Sequence, residues 1–248
     1  MRNGGKREHV GRRLNAVRSE RGFTLLEVAL VLVIVGFLLG GILRGREMVT
    51  QSRIKNTVGE FNGLSAAHFT YLDRYRGTPG DELNAGPKSS DPNSGRWRSF
   101  GAKNGNGDAQ VGGTYDHEPV AVATFTPDSV NDQETLNYWW HMRLAGFIAG
   151  PRSGDGANGQ PSNAFGGIVG VQSGGLGLSG LIMCSQDVPD RIASAVDTQL
   201  DDQKPNMGVL RARDHASGSS ITVSGDASEA ATAFLESGSN QYVLCKMM

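Results

Sequence analysis

The sequence lacks the spacings that catalysis leaves behind. No Gly-x-Ser-x-Gly elbow, His-Glu-x-x-His helix, phosphate loop or dinucleotide fingerprint occurs. His9, His68, His117, His141 and His215 are scattered along the chain, so no nucleophile–base pair or metal set stands at diagnostic spacing. Asp201-Asp202 is the nearest thing to an acid–base pair, and its place after Leu200 reads as a solvated pair at a helix end. The chain is therefore read as not an enzyme. Cysteine is scarce too: Cys184 and Cys245 are all there is in 248 residues. They are either a disulfide or two buried free thiols, and export from the cytoplasm would favour the first. Aromatic residues are only 7%. What is abundant is glycine, 35 residues, about twice the roughly 7% of ordinary usage, so much of the chain must be turn and loop.

The net charge of -1 hides an asymmetry. Arg2, Lys6, Arg7, Arg12, Arg13, Arg18 and Arg21 face only Glu8 and Glu20 in the first 22 residues, which leaves 17 bases against 23 acids for the remainder. An acidic body argues against nucleic acid as a partner, because that binding needs a basic surface to release counterions. A basic head followed at once by an apolar run is what the positive-inside rule reads as a cytoplasmic N-terminus before a membrane segment.

That run goes from Phe23 to Leu43 and is closed by Arg44; its length is that of a bilayer-spanning helix, near 20 residues. A secretory signal peptide would want small residues after the run, yet Arg-Gly-Arg-Glu follows. A plain anchor explains the length but not Glu27 inside it. A carboxylate there costs roughly 2.5–3.5 kcal/mol at a helix centre, somewhat less near an end, so it calls for a partner, or else snorkels to the headgroups.

Gly22-Phe23-Thr24-Leu25-Leu26-Glu27, behind a basic leader and before an uninterrupted apolar run, resembles the prepilin signature of the type IV pilin and type II secretion pseudopilin family. The resemblance implies a leader, 1–22, removed after Gly22 by prepilin peptidase, with methylation of the new terminal residue Phe23. It also implies that Glu27 of an incoming subunit meets the Phe23 amine of its neighbour, which sets the axial register. An amine with a pKa near 8 is cationic at neutral pH, and a carboxylate in a helix bundle needs such a charge. Implied partners are other pilin or pseudopilin subunits, the peptidase and an inner-membrane assembly platform. The implied location is the inner membrane, single-pass, with the head in the periplasm, and then the filament. The sequence departs from many relatives at Arg44, where they carry proline; Gly40, Gly41 and Gly45 supply local softness instead.

Beyond the span the pattern turns amphipathic, with Ile54, Val58, Phe61, Leu64, His68, Leu72 and Tyr75 at spacings of three and four. Gly77 and Pro79 stop the helix. Phe23 to Arg76 is thus expected as one helix of roughly 80 Å: 23–44 for membrane and assembly, 45–76 amphipathic, and 77–248 a head. The expected fold is α+β, a long N-terminal helix on a small antiparallel β-sheet with long loops, pilin-like. His68 is expected at the core edge, and Trp139 and Trp140 in the core.

Residues 78–110 read as extended loop. Within them Asn104, Asn106 and Asp108 alternate as in the opening of a calcium loop. Ala109 and Tyr115 stand where that loop needs Gly and Glu, so a structural turn competes with a metal site drawing on Asp81, Asp116 and Glu118. Asn131 and Glu134 have capping-pair spacing for a helix through Phe147. Strands are expected at 167–172, 178–184, 221–223 and 241–245, and a helix at 189–200 with Pro189 at its start. Cys245 on the last strand is similar in place to the disulfide-closed C-terminal region of many type IV pilins. A head of about 170 residues, larger than a minimal major subunit, tilts the expectation toward a pseudopilin or a minor, adhesin-type tip subunit. A membrane-anchored extracytoplasmic enzyme or binding protein is the alternative from another class.

Overall fold

The computed structural model describes residues 22–119, 133–154, 156–215 and 223–248. Asn131, Ile221 and most of the leader lie outside them. The chain divides into two compact units, Met1–Glu47 and Met48–Met248. The helix α1, Leu25–Tyr75, runs through the boundary.

In the second unit the amphipathic stretch of α1 buries Ile54, Thr57, Phe61, Leu64, His68 and Tyr71. The expected stripe is there but drifts by one residue at Thr57 and Tyr71, leaving Val58, Leu72 and Tyr75 half-buried. Tyr71 wins its place because its hydroxyl donates to Glu82 Oε2 at 2.6 Å, while Arg96 donates to both oxygens of the same carboxylate. Arg96 also lies over the Tyr75 ring, 4.3 Å from its centroid, so a charge-assisted pair and a cation–π contact fix this corner together. Arg76, at φ 57, takes the left-handed position that ends the helix. Gly77 was the expected occupant; the helix stops one residue earlier.

The head's sheet has β1 (Val169–Gly175), β2 (Leu178–Pro189), β3 (Leu210–His215) and β4 (Gln241–Met247) in the order β1-β2-β4-β3, all antiparallel. β2 outruns its expected end by passing through a register shift between Ser185 and Val188. There Asp187 adopts φ 57 and its carboxylate meets His215 Nε2 at 2.8 Å. β3 was not anticipated. Its apolar signal is only Leu210 and Ala212, with Arg211 and Arg213 on the other face, where they reach Leu176 O and Glu229. Val223, expected in a strand, is buried outside one.

Strand alternation builds two cores. Tyr242 and Leu244 join Phe61, Leu64, Tyr71, Met183 and Leu210 on the helix-covered face. Val243 and Cys245 join Tyr115, Leu176, Ile182, Cys184 and Val223 on the other. Cys184 and Cys245 sit opposite each other in the β2–β4 ladder and are disulfide-bonded. The bridge thus staples the two central strands beneath the second core. At Gly170 β1 passes so close to the Tyr115 carbonyl that any Cβ would collide with it.

Among the described residues the head carries two further α-helices, α2, Glu134–Leu144, and α3, Asp190–Leu200. Every residue of α2 is buried, including Trp139 and Trp140, as expected of a core. It ends before Phe147 because Gly146, at φ 81, turns the chain. Pro189 precedes α3 as its N-cap.

Candidate functional site

The helix α1 begins where the Gly22-Phe23-Thr24 segment ends. Thr24 stands in the N-cap position, its carbonyl accepting from Glu27 N at 3.1 Å and Val28 N at 3.2 Å, and its hydroxyl accepting from Glu27 N at 3.2 Å. One of the helix's orphan N–H groups is thereby satisfied. Thr-x-x-Glu is the capping-box spacing. The sequence carries this signal at 24–27, where it is overshadowed by Glu27's prominence as the one charge in an apolar run. In the first turn a carboxylate also lies at the positive end of the helix dipole.

Among the described residues nothing buries the side chains that follow. Phe23 is 83% exposed, and Leu25, Leu26, Val28, Leu30 through Val35, Phe37 through Leu39, Ile42 and Leu43 are all exposed. At about 1.5–3 kcal/mol for each large apolar side chain withdrawn from water, this surface represents on the order of tens of kcal/mol awaiting lipid or protein. The helix is long and apolar enough to cross a membrane, and no part of its most apolar window is buried. Arg44 and Arg46 close the stretch on the exposed helix.

The glycine-rich loop in the head is a different kind of site. Asn104 is committed at both ends, its Oδ1 accepting from Gly86 N and its Nδ2 donating to Pro87 O. Asn106 Oδ1 accepts from Asp108 N, and Asp108 Oδ1 from Gln110 N. Asp81, 4% exposed, accepts from Gly107 N and Ala109 N. Glu134, 1% exposed, accepts from Asn106 N at 2.8 Å and Gly112 N at 2.8 Å. The helix that follows starts at Glu134 itself, with Gln133 as its N-cap, so Glu134 is not the third residue after a capping Asn131, and its carboxylate is spent on this loop. Burial raises the pKa of Asp81 and of Glu134, and the backbone amides pull each partly back. These two carboxylates are the anions around which the loop folds.

Asp81, Asp108 and Glu134 each bring an oxygen within 4.8 Å of the others and could share a cation. Asn106 stays beside them, its Nδ2 donating to Asp108 Oδ2 at 3.1 Å, but the rest of the expected calcium set is elsewhere. Asn104 points into its own turn, and Asp116 and Glu118 line a separate cavity of about 370 Å³ with His117 and Asp187.

Two histidines are locked into the core beside α1 and α2. His141 is fully buried; its Nδ1 accepts from Gly80 N at 3.0 Å and its Nε2 donates to Lys103 O at 2.8 Å, a tautomer assigned from those partners. Burial pushes its pKa down to about 4. His68 is 6% exposed, stacked on Tyr138, and burial likewise lowers it to about 4.

Residues 17–43 match the family model described as the prokaryotic N-terminal methylation motif, which is the type IV pilin and pseudopilin prepilin signal. No curated protein and no solved structure matches the chain. The motif supports a type IV pilin-like or pseudopilin precursor, and the apolar helix behind it is consistent with a single-pass inner-membrane anchor. In general the motif implies assembly with other pilin subunits and handling by prepilin peptidase.

Proposed function

We propose that the chain is the precursor of a structural subunit of a type II secretion pseudopilus or a type IV pilus-like filament. Prepilin peptidase cuts behind Gly22 and the new terminal residue, Phe23, is methylated. The basic leader stays cytoplasmic, the helix holds the subunit in the inner membrane, and the head lies in the periplasm until an inner-membrane assembly platform draws the subunit into the filament. Glu27 of the incoming subunit then neutralises the Phe23 amine of its neighbour while the apolar faces pack.

The observation that carries this reading is the methylation motif at 17–43 covering the start of a helix whose large apolar side chains from Leu25 to Leu43 are all exposed. A buried carboxylate is tolerable in such a bundle only beside an opposite charge, and the freed amine is that charge at neutral pH. Polymerisation on these terms needs no cofactor and no catalytic residue. A minor, tip-type subunit would use the same N-terminal chemistry with a different head contact.

The test is mass spectrometry of the full chain co-expressed with prepilin peptidase. The expected product begins at methylated Phe23. An intact leader, or loss of everything before about residue 46 as for a cleaved signal sequence, would refute the proposal.

A further inference from the structure

The core between α1 and the sheet does not close at its rim. Beyond the facing pair Val171 and Met183, which belong to that core, the next pair on the same face, Ser173 and Leu181, opens with His68, Val111 and Met248 onto a cavity of about 520 Å³. That volume lies within the range of small-ligand pockets. We infer that this cavity binds an uncharged peptide residue, taking its apolar side chain together with the carbonyl of the neighbouring amide.

His68 is the group that calls for a ligand. It is 6% exposed, and its ring stacks on Tyr138, whose hydroxyl lies 3.4 Å from Nδ1. Among the described residues that nitrogen is the one acceptor offered to the buried hydroxyl, so Tyr138 donates and the neutral ring carries its proton on Nε2. Burial, which lowers the ring's pKa to about 4, keeps it neutral. Nothing among the described residues accepts from Nε2. The edge that bears it is turned away from Tyr138, and the ring lines the cavity. A polar group buried to this degree without a partner is rare in a native fold.

The second donor is the Ser173 hydroxyl. Its oxygen already accepts from Val111 N at 2.7 Å, which leaves its proton for an acceptor that the described residues do not supply. Two such donors on one cavity ask for an oxygen acceptor, and the walls decide its charge. No lysine, arginine, aspartate or glutamate lines the cavity, so a carboxylate or an ammonium would be held there without a counter-charge. A carbonyl meets both conditions.

The rest of the wall is apolar. Val111, 1% exposed, stands with Leu181 and Met248, and a methionine adapts to side chains of varied shape. Gln110 and Gly180 on the rim are exposed, so the mouth admits an extended chain that enters and leaves. An acceptor beside an apolar branch, with no charge, is what one residue of such a chain presents. This site stands whether or not the chain polymerises.

The test uses the full-length protein in lipid nanodiscs, where no detergent competes for an apolar cavity, with histidine labelled at Cε1 for NMR. The His68 signal is the one lost in His68→Phe. N-acetyl-L-leucine amide should move it saturably, with Kd of about 10⁻³ M for a ligand of roughly a dozen non-hydrogen atoms. The capped tripeptide N-acetyl-Gly-Leu-Gly amide should bind at least as tightly. N-acetyl-glycine amide, which lacks the apolar branch, and N-acetyl-L-leucine, a carboxylate at neutral pH, should each bind about tenfold more weakly or worse. N-acetylglucosamine, which shares the carbonyl but sets hydroxyls against the apolar wall, should do the same. His68→Phe keeps a ring against Tyr138 and loses the donor, so ligand-observed saturation transfer should show binding weakened about tenfold. The probe series is run on the parent, so it decides the matter even where the variant misfolds. A His68 signal unmoved by the neutral amides would overturn the inference. So would exclusion of the tripeptide, equal binding of the charged or sugar probes, or a folded His68→Phe protein that binds as the parent does.

Discussion

Acidification should unlock the head through His141. Its ring is used on both sides, with Gly80 N–H pointing at Nδ1 and Nε2–H pointing at Lys103 O, so a second ring proton would face the Gly80 donor head-on. The folded pKa is about 4 against 6.5 unfolded. Between those values the unfolded chain binds a proton that the folded chain refuses, so stability falls as pH drops from about 6.5 toward 4 and is unaffected above. The loss at about pH 4.5 is on the order of 2.5 kcal/mol for this one residue. His68 acts in the same direction. Glu60, raised by burial to about 7, and Asp197, raised to about 6, act oppositely: their folded forms hold protons more tightly, which adds stability as pH falls toward the ordinary carboxylate range. The net slope of the parent is therefore compressed, and a variant is needed to isolate His141. His141→Gln cannot titrate. At neutral pH it should lose about 2 kcal/mol for two disturbed buried hydrogen bonds, or roughly 4–8 °C in Tm. By about pH 4.5 the parent should have lost a similar amount through His141 alone, and the two melting curves should nearly meet. Trp97, Trp139 and Trp140 are buried in the head, so fluorescence-detected melting of the full chain in detergent reads it directly. A Tm gap that stays constant within about 2 °C across this range would refute the assignment of a neutral, doubly bonded His141.

The remaining expectations concern the anchor and the sheet. Glu27→Ala should leave processing and membrane insertion intact, because it only removes an insertion cost. Its incorporation into sheared filaments, read by immunoblot, should vanish; normal incorporation would reduce Glu27 to a first-turn capping residue. Replacing Cys184 and Cys245 by serine removes a cross-link between residues 61 apart, which in the chain-entropy model is worth about 4 kcal/mol. The head should then melt roughly 8–16 °C lower, and a shift corresponding to less than about 1 kcal/mol would place the bridge's contribution elsewhere than in the unfolded chain.

Legibility in the sequence followed the range of the physics. The segment 17–43 could be read because each of its residues answers to something local: leader charge, a small residue at the cut, the length of a bilayer, one anomalous carboxylate. The paired cysteines were equally plain once export was inferred. The stripe on α1 could be read to within one residue, but Tyr71 displaces Leu72 only because Glu82, eleven residues away, needs its hydroxyl. Glu134 was misassigned for the same reason. Its spacing from Asn131 fits a cap, whereas its carboxylate is claimed by amides more than twenty residues back in the chain. β3 was missed because Ala212 and two arginines carry almost no alternation of hydrophobicity. Its membership in the sheet comes from pairing with β4, which no local pattern records. Asp201-Asp202 does follow a helix end, with Asp202 exposed, but that Asp201 Oδ2 accepts from Val209 N and Leu210 N is a partnership eight and nine residues away that no local pattern records.

Two solvents act on α1, and that division constrains function more tightly than any feature of the head. From Ile54 onward the helix obeys the rule for a water-soluble domain, with one face buried at spacings of three and four and the others exposed. From Leu25 to Leu43 it has no polar face at all except Glu27, and nothing among the described residues covers it. The cover must come from hydrocarbon or from other apolar helices. In lipid alone Glu27 carries an insertion cost that its first-turn place at the positive end of the helix dipole offsets only in part. On the assembly proposed above, in a bundle of like helices each beginning with a freed amine near its neighbour's carboxylate, the same residue would be the polar contact that fixes register, because a one-residue slip would leave two charges unpaired. A helix optimised only as an anchor would gain by losing Glu27, and a helix that must both sit in lipid and stack at a defined offset would keep it.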